Sequence, residues 1–512
     1  MKKRNFFSMM LLFIVSTVLA QIPADNQFYN GSIGAVRKTI VPNGVDDTQI
    51  VQAAIDEVAA SGGGILKFTT QKSNTIYHLG EIYLKSNVHI KAWKGVVIKP
   101  LAEQGSVFYL GKNGDDRISN VSITCTNRSE YFTFDFSDLA PNIKSRAVFL
   151  AAVDNFLISD FNIIDNNTKF SAITLGVHVG SNMIIYEPTN GIVEHSKITT
   201  AHYGYGLVQC QTGKNILYRN LEGEGGATLR LESGSPIMAE SNLVDRTINM
   251  HRIYGTKISC LNGQSALTLS PHTINNGKVI IDDVTAISCE AGAIINKGYL
   301  SKKKGQVDAD GNPLSGYKSG YFSSNSKVTN MTVVYGEDAQ LRNQRLDFIP
   351  CSQRFLLSSE KNVDEESFHG PSITGIVYFA AGGTDRNEGY YSVDVSGLSL
   401  QEFSAENKSY LVSNDEKISD CTANKSKGKM TAENSSQEKV TSIYPNPASE
   451  NIIVTAPTNS AIYLFDVSGV LIQTIRSIQD QVGMDVSGLK PGLYIIKIDS
   501  GTSTVLKKIS VL

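Results

Sequence analysis

Short stretches of alternating apolar and polar residues recur through the middle of the chain without helical gaps, at residues 121–125, 156–163, 192–198, 216–221, 248–258, 279–287 and 328–334. Most are followed, after a polar or glycine-rich corner, by a second short stretch, as at 207–209, 229–232, 267–270 and 293–295. Alternation of this kind predicts strands. Irregular repeats of about 20 to 40 residues, each holding two or three such strands, predict the stacked coils of a parallel β-helix. A β-sandwich would also supply many short strands, but it would favour hairpin turns between strands of equal length. Ahead of the coils, Asp46-Asp47-Thr48 leads into an amphipathic run through Ile50, Ala54, Ile55 and Val58 that stops at Ser61-Gly62-Gly63-Gly64. Asp46 with Gln49 three residues on suits a helix N-terminus, and the glycines suit its end. One short helix is therefore expected to cap the coils.

The two ends have a different character. Lys2, Lys3 and Arg4 precede an apolar run over 6–15 and the small-residue end Val18-Leu19-Ala20, the layout of a cleaved secretory signal with the mature chain starting near Gln21. No later run approaches the roughly 18 unbroken apolar residues of a spanning helix, so no membrane span is expected. After about Leu411 the pattern changes again, and 425–439 is a polar linker without apolar period. The expected domains are a signal peptide (1–20), a β-helix domain (21–420), a linker (421–440) and a small β-rich domain (441–512).

Composition agrees with β structure: of 512 residues, 41% are hydrophobic, only 19% are charged and 43 are glycine, unlike a helical bundle. A formal net charge of −2 excludes a chain-wide cationic surface for nucleic acid, though not a local basic cleft. The six cysteines lack the spacing of a zinc site. Export permits a disulfide, with Cys351 and Cys421 a candidate pair, and buried unpaired thiols are the other reading for Cys210, Cys260 and Cys289.

Chemistry is expected on one outer face. In Thr228-Leu229-Arg230-Leu231-Glu232 the leucines point inward, leaving Arg230 and Glu232 side by side outside. Gln209 precedes Glu232 by about one coil, so the two are expected to stack on neighbouring coils about 4.8 Å apart. Ser270-Pro271-His272 continues the column, with Glu290 as its next member. Glycoside cleavage needs a proton donor at the leaving oxygen and an acceptor for water, which such a column supplies. An isolated surface ion pair for Glu232, a packed or turn-capping His272 and an amide ladder for Gln209 are the plainer readings of each residue alone.

The helix-then-coils order resembles the pectin-lyase-like fold, which implies a right-handed β-helix. The segments Tyr205-Gly206-Leu207-Val208-Gln209, Gly225-Gly226-Ala227-Thr228-Leu229-Arg230-Leu231-Glu232, Ser270-Pro271-His272 and Ser288-Cys289-Glu290-Ala291 resemble iota-carrageenases, endo-acting β-helix hydrolases of marine bacteria, over roughly residues 30 to 400. The resemblance implies inverting cleavage of the β-1,4 linkages of a sulfated algal galactan by a monomer, with Glu232 as general acid, Gln209 and His272 as helpers and Glu290 as a fourth member. It also implies chloride near Gln209, and calcium or sodium. The family's motif carries an Asp two residues after the acid as general base, whereas this chain has Gly234. Glu290 or Asp245, or a water held by His272 and Gln209, are the alternatives for that role.

A sulfated substrate needs cations, for which Arg230, Arg252, Arg342, Arg345 and Arg354 are candidates, with Arg246. The Lys302-Lys303-Lys304 run reads more simply as a solvated loop, and Asp308-Ala309-Asp310-Gly311-Asn312 as a turn rather than a calcium loop. Tyr444-Pro445-Asn446-Pro447, 462–469, 489–496 and the closing 505–509 resemble the C-terminal sorting domain of the type IX secretion system, which implies a small β-sandwich, that secretion machinery as partner, and release or surface attachment. Rival functions are a β-helix lyase, for which Arg230 is a candidate base, a polygalacturonase-like enzyme, of whose signatures only Asp282-Asp283 is present, and a glycan-binding surface adhesin.

Overall fold

The computed structural model describes residues 22–421 except 73, 102, 104, 113, 115, 419 and 420, and residues 442–511 except 447, 467–470, 478 and 500–503. The expected signal peptide, and the expected linker apart from Cys421, lie outside the described residues. The chain forms two compact units that meet in sequence at Cys421 and Thr422.

The first unit is a parallel β-helix. Helix Thr48–Ala60 buries Val51, Ala54, Ile55 and Val58 over the first coils. Its N-cap is Asp47 rather than Asp46. Asp47 is buried and receives Asn43 N (2.7 Å) and His78 N (3.2 Å), while Asp46 takes Thr48 N (2.8 Å). The helix N-terminus is thus stitched to the coil beneath it, which local spacing does not reveal.

Coils then stack into a 15-stranded and a 10-stranded sheet whose neighbours run parallel. The first-stretch strands fall in the larger sheet, as Val279–Ile287 on Met250–Leu261, and the second-stretch strands in the smaller, as Ala227–Glu232 between Val208–Cys210 and Ser265–Ser270. Parallel stacking puts like residues above one another, so Cys210, Leu231 and Leu269 share a fully buried interior row. Corners repeat in the same way. Asn155, Asn190 and Asn215 all sit at positive φ, 53°, 52° and 59°, where Asn tolerates the left-handed conformation, and Asn215 Nδ2 donates to Asn190 Oδ1 at 2.8 Å. Cys125, Cys210, Cys260 and Cys289 are buried free thiols, whereas Cys351 and Cys421 form a disulfide.

Between Ala291–Ile295 and Thr374–Val377, neighbours in the smaller sheet, the chain makes a long excursion. It contains the 3-10 turn Lys302–Lys304, returns to the larger sheet as Lys327–Val334, and forms an antiparallel hairpin of Ala339–Arg342 with Ser367–Gly370. These insertions rise beside the outer face of the smaller sheet.

The second unit is a small β-sandwich. Ser442–Tyr444, Asn451–Thr455 and Gln481–Asp485 form one antiparallel sheet, and Leu471–Arg476, Ala461–Asp466, Gly492–Asp499 and Thr504–Val511 the other. Ile452 and Val454 from one sheet share a core with Ile462, Leu464 and Ile496 from the other.

Candidate active site

Strand Ala227–Glu232 buries Leu229 and Leu231 and leaves Arg230 and Glu232 on the outer face. Glu232 Oε2 pairs with Arg230 Nη2, and Oε1 receives a hydrogen bond from His272 Nε2 at 3.0 Å. His272 reaches this position from a left-handed turn after Pro271, at φ 49°. Its backbone carbonyl accepts from Tyr299 N (3.0 Å) and Gly320 N (2.8 Å), which hold the strained turn in place. The Tyr299 ring packs 4.6 Å from the imidazole, and Arg230 lies 5.3 Å over the ring of Tyr205.

Burial would push the Glu232 carboxyl up, but Arg230, the hydrogen bond from His272 and the charge of Lys304 outweigh it and hold the group far below the usual carboxylate range. Around this trio a cleft of about 680 Å³ is lined by the floor residues Tyr203 and Tyr205 and by the insertion residues Lys297, Tyr299, Arg342, Arg345 and Glu366.

The chain is similar to known proteins over most of its length. The chain is 30% identical to an iota-carrageenase of Zobellia galactanivorans over 410 residues, 70% of this chain and 80% of the other. The chain belongs to the iota-carrageenase family. It is also 33% identical to an iota-carrageenase of Alteromonas macleodii over 261 residues, half of each chain. Among solved structures, a 1,3-α-1,4-β-D-galactose-4-sulfate-3,6-anhydro-D-galactose-2-sulfate 4 galactohydrolase superposes with a TM-score of 0.68 at 25% identity, over 78% of this chain and 95% of that one. An iota-carrageenase complexed to iota-carrageenan fragments superposes with a TM-score of 0.67 at 23% identity, over the same shares. Residues 442–512 match the secretion system C-terminal sorting domain. The second unit is thus a type IX sorting domain and the protein is secreted or held at the cell surface. Among the described residues no helix is long and apolar enough to cross a membrane.

Several expectations for this family site need correction. Gln209 does not stack on Glu232. The register sets it beside Arg230 and Thr174, and Glu232 has Ser270 as its in-register neighbour. The next residue of that outer face, Gln211, accepts from Ser235 Oγ at 2.9 Å. Glu290 does not reach the cleft. It is fully buried, accepts from Tyr203 OH (2.9 Å) and Arg345 Nε (3.1 Å), and so braces two residues that do line it. Burial pushes its carboxyl up, against the opposing pull of Arg345 and Tyr203.

Arg342 and Arg345 line the cleft, but Arg252 and Arg354 do not. Arg252 belongs to the larger sheet at φ 56°, in register with the column of asparagine corners. Arg354 donates to the carbonyls of Ile349 (3.3 Å) and Ile418 (2.6 Å), fastening the end of the unit. Arg246 is likewise spent on Asn242 and the Gly316 carbonyl, and Asp245 on Thr247 N, at the end of helix Pro236–Val244. Of the lysine run, Lys302 and Lys303 are exposed, but Lys304 folds inward and donates to the Gly234 carbonyl. The Asp308 carboxylate is consumed by its own loop, accepting from Asp310 N (2.9 Å) and Asn312 N (2.8 Å).

Proposed function

We propose that the chain is an endo-acting glycoside hydrolase that cleaves the β-1,4 linkages of iota-carrageenan with inversion, Glu232 serving as general acid and His272 as the residue that orients it. The observation that carries this reading is Glu232 hydrogen-bonded to His272 and paired with Arg230 on the floor of a cleft rich in cations and tyrosines. Guanidinium groups match the sulfate esters of the substrate, and tyrosine rings offer faces to sugar rings. In the free site Glu232 is a carboxylate. A sulfate that takes donors from Arg230 divides the cation's hold and adds negative charge, both of which raise the proton affinity of Glu232, so the acid is armed in the complex. The enzyme is taken to act as a monomer.

The chloride implied by resemblance has a fitting donor set: Arg230 Nη1, beside Gln209 in register, is buried without a protein partner. Bound there, an anion would neutralise charge and fix the guanidinium's orientation. Among the described residues there is no group of three or more His, Cys, Asp or Glu that could hold a metal ion.

The purified chain is expected to release reducing ends from iota-carrageenan as progressively shorter oligomers. Glu232→Gln should lower kcat about 100- to 10,000-fold while binding, followed by affinity electrophoresis, is retained. A wild-type chain that binds the polymer without cutting it would replace the enzyme with an adhesin, and ultraviolet absorbance from unsaturated product ends would replace hydrolysis with elimination.

A further inference from the structure

Inversion takes two carboxylates, one giving a proton to the leaving oxygen and one taking a proton from water. Position 234, two residues after Glu232, offers glycine, and it has no room for more: a Cβ there would lie 2.4 Å from His272 Nε2. The imidazole fills the space. Two carboxylates line the cleft among the described residues, Glu232 and Glu366. We propose that Glu366, carried on the hairpin insertion, is the general base that activates the attacking water, an assignment that rests on the glycoside-hydrolase reading above.

The position of Glu366 is fixed from three sides. It directly precedes strand Ser367–Gly370, whose pairing with Ala339–Arg342 brings Arg342 Nη2 to 3.0 Å from its carboxylate, and Lys169 Nζ stands at 3.7 Å. The buried Asp364 holds the loop from beneath, accepting from Glu366 N (2.9 Å) and Ser367 N (2.8 Å) with Oδ1 and from Tyr203 N (3.2 Å) with Oδ2. Since Tyr203 belongs to the cleft floor, the loop is fastened to the same surface that carries Glu232. The two carboxylates act on a common neighbour: the Tyr205 phenol is pushed up chiefly by burial, with Glu232 and Glu366 both adding to the rise. They share no hydrogen-bond partner, Glu232 being held by Arg230 and His272 and Glu366 by Arg342 and Lys169. Both carboxylates line one cleft, and the assignment requires them to stand about 6.5–9.5 Å apart, the separation typical of inverting enzymes.

In the proposed step Glu366 takes a proton from water as the water oxygen attacks the anomeric carbon on the face opposite the leaving group. The bond from that carbon to the leaving oxygen breaks, its electron pair passes to the oxygen, and the oxygen takes the proton of Glu232. One water is consumed, the new reducing end is α, and exchange with solvent restores both carboxyl groups.

The test compares full-length wild type, Glu366→Gln and Glu366→Ala on iota-carrageenan. Expected are a kcat lowered about 100- to 10,000-fold with KM little changed, loss of the acidic limb of the kcat profile, and rescue of Glu366→Ala by azide to give the α-glycosyl azide. Retained kcat would overturn the assignment. So would a loss confined to KM, which would make Glu366 only a partner of Arg342. A wild type inactive on iota-carrageenan and related sulfated galactans would remove the hydrolase itself, whereas an active wild type with an equally active Glu366→Gln removes Glu366 alone.

Discussion

At the scale of single residues, the site depends on side chains that leave room for others. Gly234 carries no functional group, yet its missing side chain is what admits the His272 ring. Gly234→Ala is expected to displace that ring and break the hydrogen bond to Glu232. A bond to a charged group is worth about 1.5–3 kcal/mol, so kcat/KM should fall about 10- to 100-fold, with the melting temperature lowered by a few degrees. An unaltered kcat/KM would show that the imidazole does not act through Glu232. Asp165 supplies a pH effect on stability. It is buried beside Thr168, and burial pushes its carboxyl up to about 6 despite hydrogen bonds that pull it down. A folded-state value above the unfolded one means the native state binds more protons, so this contribution is complete below about pH 4 and is lost as pH rises through about 6. Asp165→Asn keeps an acceptor for Thr168 N and should be more stable than the parent by about 3 kcal/mol at pH 8 and nearly equal to it at pH 4. Denaturant unfolding at the two pH values checks this, and equal offsets at both would refute it.

Among these residues, legibility followed periodicity. Alternation along 228–232 was enough to place Arg230 and Glu232 outside and the leucines inside, because a strand has only two faces. The pairing of Gln209 was missed, because coil length varies with the residues spent in corners and a shift of two positions keeps the same face while changing the neighbour. Glu290 was misplaced for a related reason: in Ser288-Cys289-Glu290-Ala291 the chain turns a corner, where alternation does not apply.

At the scale of elements, the strands were legible and the walls of the cleft were not. The parallel strands repeat an apolar spacing that one interior demands of every coil. The segments carrying Lys297, Lys304, Arg342 and Glu366 have no period, since each is held by particular contacts to the coils rather than by a shared core. The segment after Tyr410–Leu411 is such a wall. Ser413 and Asn414 line the cleft, while farther on Ile418 N donates to the Asp347 carbonyl (2.7 Å), Lys417 pairs with Asp347 (3.5 Å), and Cys421 is tied to Cys351. Cys421→Ser should release this end locally rather than unfold the coils. KM is expected to rise severalfold, about 1 kcal/mol of binding, with kcat kept and with faster proteolysis within 412–421. Unchanged KM and unchanged proteolysis would mean that the polar contacts alone hold the wall.

At the scale of the whole molecule, two cores that share no residue match two tasks. The β-helix interior supports the cleft, and the sandwich built around Ile452, Leu464 and Ile496 is the sorting domain. Nearly equal numbers of acidic and basic residues, 49 and 47, conceal a local concentration of cations in the cleft. The sequence by itself determined the coil architecture, the sorting domain and the outward pairing of Arg230 with Glu232, because each is encoded by neighbours a few positions apart. Only the tertiary structure decided which coil faces which, that His272 fills the place beside Gly234, and that Glu366 joins Glu232 across one cleft. Those relations arise from stacking and insertion, which bring together residues that share no local pattern, and their geometry exists only once the coils have closed.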